Sequence, residues 1–236
     1  MLARLLTVAV VALGSFSPAA AHADTPSGKT LSWGANDTGQ LGTGAGPSSL
    51  ASGVLSSVDH IKAIASGANH TIALLDDGTV WAWGRNDRGQ LGFAPPASDE
   101  RGDASDGRAV QVPYLSAVVA IAAGNAHNLA LESDGTIWAW GDNTWGQLGN
   151  GHPNADDLGS GGTAGLYGYS NSEPVPVPVS GLAGVTAVAA GGNRSLALLS
   201  DGTVQQWGED TTAFGADWLD PLVATVLTGV VPLPFL

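Results

Sequence analysis

Trp83-Gly84-Arg85-Asn86-Asp87-Arg88-Gly89-Gln90-Leu91-Gly92 decides the fold, because the same phrase recurs along the chain. Trp33 to Gly42 reads WGANDTGQLG and Trp140 to Gly149 reads WGDNTWGQLG. A fourth copy, Trp207-Gly208 onward, decays to WGEDTTAFG. Trp33, Trp83, Trp140 and Trp207 stand 50, 57 and 67 residues apart. A unit that recurs at such a period must stack on its neighbours to bury its apolar face, and a period near 50 with strand-like content predicts β-propeller blades rather than a helical solenoid.

The stretch between the first two phrases reads as four short strands. Val54 to Val58 is a β-branched run, Ile61 to Ala65 alternates and stops at Gly67, and His70 to Leu75 is apolar. Asp77-Gly78 then separates that run from Thr79 to Trp83, an Asp-Gly hairpin signal of the type I′ kind. The pattern returns as Val118 to Gly124, Asn128 to Leu131, Asp134-Gly135 and Thr136 to Trp140. It returns again as Val185 to Gly191, Ser195 to Leu198, Asp201-Gly202 and Thr203 to Trp207. Val110 to Pro113 and the proline-alternating Pro174 to Val179 precede these units, and proline suits an outer edge strand. The reading is all-β: about three full four-stranded blades plus partial terminal strands, an open or incomplete propeller. The Ala-rich strand is expected innermost, and the Trp-bearing strand further out between blades.

Composition narrows the function classes. The 236 residues include 34 Gly and 8 Trp but only 12% charged residues, a turn-rich globular composition. Residues 1–23 read as a secretory signal peptide: Arg4, the apolar run Leu5 to Leu13, and Ala21-His22-Ala23 as the cleavage signal. That run is too short to span a bilayer, so no membrane span is expected after cleavage. Residues 24–236 form the repeat domain, and the expected location is outside the cell or on its surface. Removing Arg4 takes the net charge from −13 to −14. Such a surface repels phosphate backbones and argues against nucleic acid as a partner. No Cys is present, which excludes disulfides and thiolate chemistry.

Taken together, A-A-G-x-x-H-x-x-A-L followed by D-G-x-V-x-x-W-G-x-N-x-x-G-Q-L-G resembles the RCC1 (regulator of chromosome condensation) repeat family. Here Ala65 to Gly92, Ala122 to Gly149 and, less fully, Ala189 to Gly215 carry it. The resemblance implies a seven-bladed propeller. It also implies either protein binding, with inhibition of an enzyme as one form, or guanine-nucleotide exchange on a small GTPase. Three features depart from the pattern. Arg194 stands where His70 and His127 stand. The fourth phrase loses its Asn, its Gln and its second Gly. The units are too few to close such a ring. A truncated fragment, two chains pairing into one ring, and a true short arc are the three explanations.

The recurring residues read as scaffold. Trp33, Trp83, Trp140 and Trp207 are expected in the core between blades. Gly34, Gly42, Gly84, Gly92, Gly141, Gly149 and Gly208 belong to the turns. His70 and His127 repeat, and one catalytic site does not need one His per blade, so each is assigned a hydrogen bond inside its blade. Asn36, Asn86 and Asn143 are expected to cap turns or take positive φ, and Gln40, Gln90 and Gln147 to bond loop backbone.

Variable loops follow each phrase: 43–53, 93–109 and 150–173. They are expected on one face, the usual binding surface of a repeat protein. Trp145 replaces the polar Thr38 and Arg88 of the other copies. With Arg88, Tyr167 and Tyr169 it forms the candidate partner-binding set. The acidic run Asp99 to Asp106 lacks the D-x-[DN]-x-[DN]-G order of a Ca²⁺ loop, so no metal and no cofactor is assigned. The expected role is a secreted, non-enzymatic interaction module with an unidentified protein partner and self-association as a further possibility. Nucleotide exchange and hydrolysis of an extracellular polymer are the alternatives.

Overall fold

A computed structural model of the chain describes residues 31–43, 49–54, 58–94, 107–151, 172–209 and 225–227. Residues 1–23, the acidic run Asp99 to Asp106, Tyr167 and Tyr169 lie outside the described residues. The described residues form fourteen strands and no helix. Strands β1 (Leu31–Gly34) and β2 (Ser49–Val54) pair antiparallel. Three four-stranded antiparallel sheets follow. The first contains β3 (Ile61–Ser66), β4 (His70–Leu75), β5 (Val80–Gly84) and β6 (Val110–Gln111). The second contains β7 (Val118–Ala123), β8 (His127–Glu132), β9 (Ile137–Asp142) and β10 (Ser172–Pro178). The third contains β11 (Val185–Gly191), β12 (Arg194–Leu199), β13 (Val204–Gly208) and β14 (Thr225–Leu227).

These sheets are the expected propeller blades, but the sequence unit and the blade are offset. The sequence repeat groups each Ala-rich strand with the strand that precedes it. In the structure β6 pairs with the earlier β5, β10 with β9 and β14 with β13. Each blade therefore closes on a strand from the start of the next sequence unit. The Ala-rich strands take the opposite edge, where β3 adjoins β7 and β7 adjoins β11. Small side chains permit that approach. The run Val54 to Val58 is also displaced: the strand is Ser49–Val54, so half of the expected first loop is sheet.

The hairpin turns share one construction. Asp77 Oδ1 accepts from Thr79 N at 2.9 Å and from Thr79 Oγ1 at 2.7 Å. Asp134 and Asp201 hold the N–H groups of Thr136 and Thr203 in the same way. Only the glycine has positive φ, 81° at Gly78, and Leu75 N donates to Thr79 O across the turn. This is a type I turn with a glycine bulge, not the expected type I′, because the Asp carboxylate stabilises a right-handed first half.

Core packing alternates by face. Ile72 and Leu74 of β4 meet Ile121 of β7 and Trp140 of β9 between the first and second full blades. Leu129, Leu131 and Leu148 meet Val185, Ala197 and Trp207 between the second and third. Burial fades at the two ends of this stack. The equivalent leucines Leu74, Leu131 and Leu198 are 0%, 3% and 39% exposed, because no described blade covers the last.

Three equivalent loop residues also carry positive φ: His60 at 60°, Ala117 at 48° and Gly184 at 68°. Their carbonyls accept from Asp76 N, Ser133 N and Ser200 N. The left-handed region costs an L-residue roughly 1–2 kcal/mol, while glycine's greater freedom in the unfolded chain offsets about 0.5–1 of that. Ala117 is exposed, so its methyl gains little burial that glycine would forfeit. Ala117→Gly is expected to raise stability by up to about 1 kcal/mol, read as a higher urea midpoint with unchanged slope.

Candidate functional site

Each WG phrase folds into one turn built by its own polar residues. Asn36, Asn86 and Asn143 lie in the buried start of the turn, and each Oδ1 accepts from the N–H of Leu41, Leu91 or Leu148 at 2.9–3.0 Å. None of the three Asn residues has positive φ, so they cap the turn and leave the left-handed positions to Gly39, Gly89 and Gly146. Gln40, Gln90 and Gln147 close the other side. Their Oε1 atoms accept from the N–H of Thr38, Arg88 and Trp145 at 2.7–2.9 Å. Their Nε2 groups donate to Asp37, Asp87 and Asp142. The third copy has Thr144 at the usual Asp position, and Asp142 supplies the acceptor instead. The Gln40 donor holds the Asp37 carboxyl below its ordinary range.

A second layer ties blade to blade. The carbonyls of Gln40, Gln90 and Gln147 each accept from the indole of the next blade. Trp83, Trp140 and Trp207 donate at 3.0, 3.1 and 2.9 Å. Each carbonyl also accepts from a small polar side chain of that next blade: Thr71 at 3.4 Å, Asn128 at 2.8 Å and Ser195 at 2.7 Å. Asn128 and Ser195 also meet the histidine of the blade before. His70 Nε2 lies 2.8 Å from Asn128 Oδ1, and His127 Nε2 lies 3.0 Å from Ser195 Oγ. Asn128 and Ser195 direct their own donors at the Gln carbonyls, so both histidines donate from Nε2. The expected bond inside each blade is instead a bond between blades.

Both imidazoles are buried and neutral. Burial pushes His70 down to about 4 and His127 to about 3. Each ring also explains a glycine. A Cβ on Gly67 would lie 2.2 Å from His70 Cε1, and one on Gly124 would lie 2.1 Å from His127 Cε1. In this position the histidines are joints rather than acid–base groups. Among the described residues, no three His, Asp or Glu side chains gather where they could hold a metal ion.

Of the four candidate partner-binding residues, Arg88 and Trp145 are described and both are exposed, Trp145 at 39%. They occupy the same turn position in neighbouring blades, and the Gln side chain fixes the backbone beneath each. Beside Arg88, Arg85 and Asp87 form an ion pair. The structural glycines Gly34, Gly42, Gly84, Gly92, Gly141, Gly149 and Gly208 all have positive φ. Trp83, Trp140 and Trp207 are buried between blades as expected. Trp33 is not. It is 37% exposed, because the described residues place no blade on its far side.

Sequence reasoning missed a cleft of about 290 Å³ between β1 and the first full blade. Trp33, Gly34, Gln40, Ala68, His70 and Thr71 are among its lining residues. No sequence signal points to it, because its walls come from the first WG phrase and from β3 and β4, about 30 residues further on.

Comparison with known proteins agrees with this architecture. The Regulator of chromosome condensation (RCC1) repeat model matches residues 27–74, 77–131 and 134–198. The mitochondrial RCC1 domain-containing protein RUG3 of Arabidopsis thaliana is 32% identical over 153 residues, 63% of this chain and 30% of that protein. The guanine nucleotide exchange factor SRM1 of Saccharomyces cerevisiae is 29% identical over 155 residues, 63% of this chain and 30% of its own length. The crystal structure of yeast RCC1 (Prp20) bound to Kap60 matches with a TM-score of 0.67 at 27% identity, covering 86% of this chain and 45% of that one. The chain thus spans less than half the length of these relatives. Three matched repeats over most of the chain, folded as stacked four-stranded blades, make it a member of the RCC1 repeat family.

Proposed function

We propose that this chain is a secreted, non-enzymatic protein-interaction module that recognises its partner through the turn face of the blades. One observation carries the reading. The histidines, asparagines, glutamines and buried tryptophans of the repeat are engaged in holding turns and joining blades. Three positions of the turn vary between copies, and the position after the Asp or Thr carries Thr38, Arg88 or Trp145, of which Arg88 and Trp145 are exposed. A rigid frame that displays different side chains at equivalent points suits recognition, and Trp and Arg are the residues that most often dominate binding energy at interfaces. Secretion rests on Arg4, Leu5 to Leu13 and Ala21-His22-Ala23. The acidic net charge favours a partner with a basic surface.

The test is capture of proteins from culture supernatant on the immobilised mature chain, compared with the double variant Arg88→Glu/Trp145→Ala. Saturable capture at micromolar concentration is expected, weakened at least about tenfold in the variant, which corresponds to roughly 1.4 kcal/mol. Absence of any saturable partner would overturn the reading. So would acceleration of nucleotide release from a small GTPase, because the role would then be catalytic.

A further inference from the structure

We infer that the alternating prolines of β10 close the outer edge of the second full blade to strand addition by another copy of this chain. The device lies on the rim, apart from the turn face, and does not depend on what binds there.

A propeller blade ends in an outer strand whose far side turns main-chain N–H and C=O groups toward the rim. An edge of that kind is a template for a further strand unless it is short, bulged or interrupted by proline. In this chain strand length and proline vary together. Strand β6 has two residues and β14 has three, too few to template a ladder. Strand β2 has six, but its register shifts between Ser32 and Gly34, the mark of a bulge. Strand β10 has seven, the longest of the four outer strands, and it alone contains proline: Pro174, Pro176 and Pro178.

Their spacing decides which edge loses its donors. The N–H groups of an extended strand point to its two edges in turn, so residues two apart serve the same neighbour. Val179 N donates to Ile137 O at 2.9 Å, and Val177, two residues earlier, pairs with Ala139. The odd-numbered residues therefore face β9, and the three prolines fall on the other side. The register shifts between Glu173 and Val177, yet burial alternates without a break from Ser172 to Val177, so the strand keeps its period of two through the shift. Pairing with β9 forfeits nothing, because none of the prolines occupies a position that must donate inward. On the rim side three successive donors are missing, and each pyrrolidine ring stands where a neighbouring strand would have to approach.

Packing explains part of this pattern and leaves the rest to the edge. A Cβ on Gly89 would lie 2.3 Å from Pro174 Cα, so Pro174 also lies against the turn of the blade before. Pro176 is buried. Pro178 is exposed, opposite Trp138, and buries little that another side chain would forfeit. The donor it lacks accounts for its place.

The test restores donors to the edge. Pro176→Thr/Pro178→Thr keeps Pro174 against Gly89 and returns two outward N–H groups, which a two-fold antiparallel pair of β10 strands uses twice. Val175→Thr/Val177→Thr is the control: the same strand made more polar, with the changed residues facing β9. Sedimentation equilibrium of each mature chain over a range of concentrations measures its self-association constant, and urea unfolding reports whether the fold is kept. The proline variant is expected to self-associate at least about tenfold more tightly than the parent, since one net hydrogen bond is worth about three- to tenfold and four are restored. The valine variant is expected to match the parent. Pro178→Thr alone, at the exposed position, should move the constant in the same direction by a smaller factor, and it carries the test if the double variant loses its fold. A constant unchanged when the prolines are replaced, or raised as far by the valine variant, would overturn the inference.

Discussion

Trp140→Ala is expected to cost about 3–5 kcal/mol and to reduce the chain to a partly folded state at physiological temperature. Trp140 is fully buried and packs with Ile72, Leu74, Val80 and Ile121 at the junction of two blades. Truncation removes the indole and opens a cavity that two rigid sheets cannot collapse to fill. It also removes one of two donors to Gln90 O, leaving Asn128 alone on that carbonyl. Gln90 in turn holds the turn beneath Arg88, so the damage reaches the turn face proposed for partner binding. Trp33→Ala provides the control. Its residue type and repeat position are the same, but at 37% exposure it should cost well under half as much. Urea unfolding of the two variants against the parent measures the difference. Equal costs would mean that the indole acts through its own blade rather than through the junction.

That contrast also marks where the sequence was informative. The recurring phrase located every blade, because turn glycines and a large aromatic at fixed offsets leave few alternatives once they repeat. Periodicity treats all copies as equal, however, and a stack has ends. Trp33 and Leu198 carry the same letters as buried counterparts and are 37% and 39% exposed, because no described blade covers them. The blade-to-blade joints were illegible for another reason. His70 and Asn128 are 58 residues apart, and His127 and Ser195 are 68 apart. The receiving position is filled by Thr, Asn and Ser in turn, residues that share a small polar reach but form no motif. Likewise Arg88 and Trp145 stood out as the variable letters within a fixed phrase. That Gln90 and Gln147 anchor the backbone under them needed coordinates.

The joints give the fold a specific weakness to acid. His70 and His127 have an ordinary imidazole value of 6.5 when unfolded, and burial lowers them to about 4 and about 3 in the blades. A group whose folded value is depressed stays neutral in the native state while the unfolded chain takes up its proton. Between 6.5 and about 4, protons therefore favour unfolding, and stability present above pH 6.5 drains away as pH falls. At about 1.4 kcal/mol per pH unit and per histidine, the two together remove roughly 4 kcal/mol between pH 6.5 and pH 5, a large part of a small domain's total. The turn carboxylates Asp77, Asp134 and Asp201 are lowered by the Thr residues that follow them, so their contribution is lost at lower pH, beneath this window. Urea midpoints at pH 7 and pH 5 separate the two classes. The parent chain is expected to lose most of its stability across that interval. His70→Gln/His127→Gln should start less stable at pH 7, since the joints are imperfect, but change little on acidification. An equally steep loss in the double variant would place the acid sensitivity in the carboxylates and remove the histidines from it.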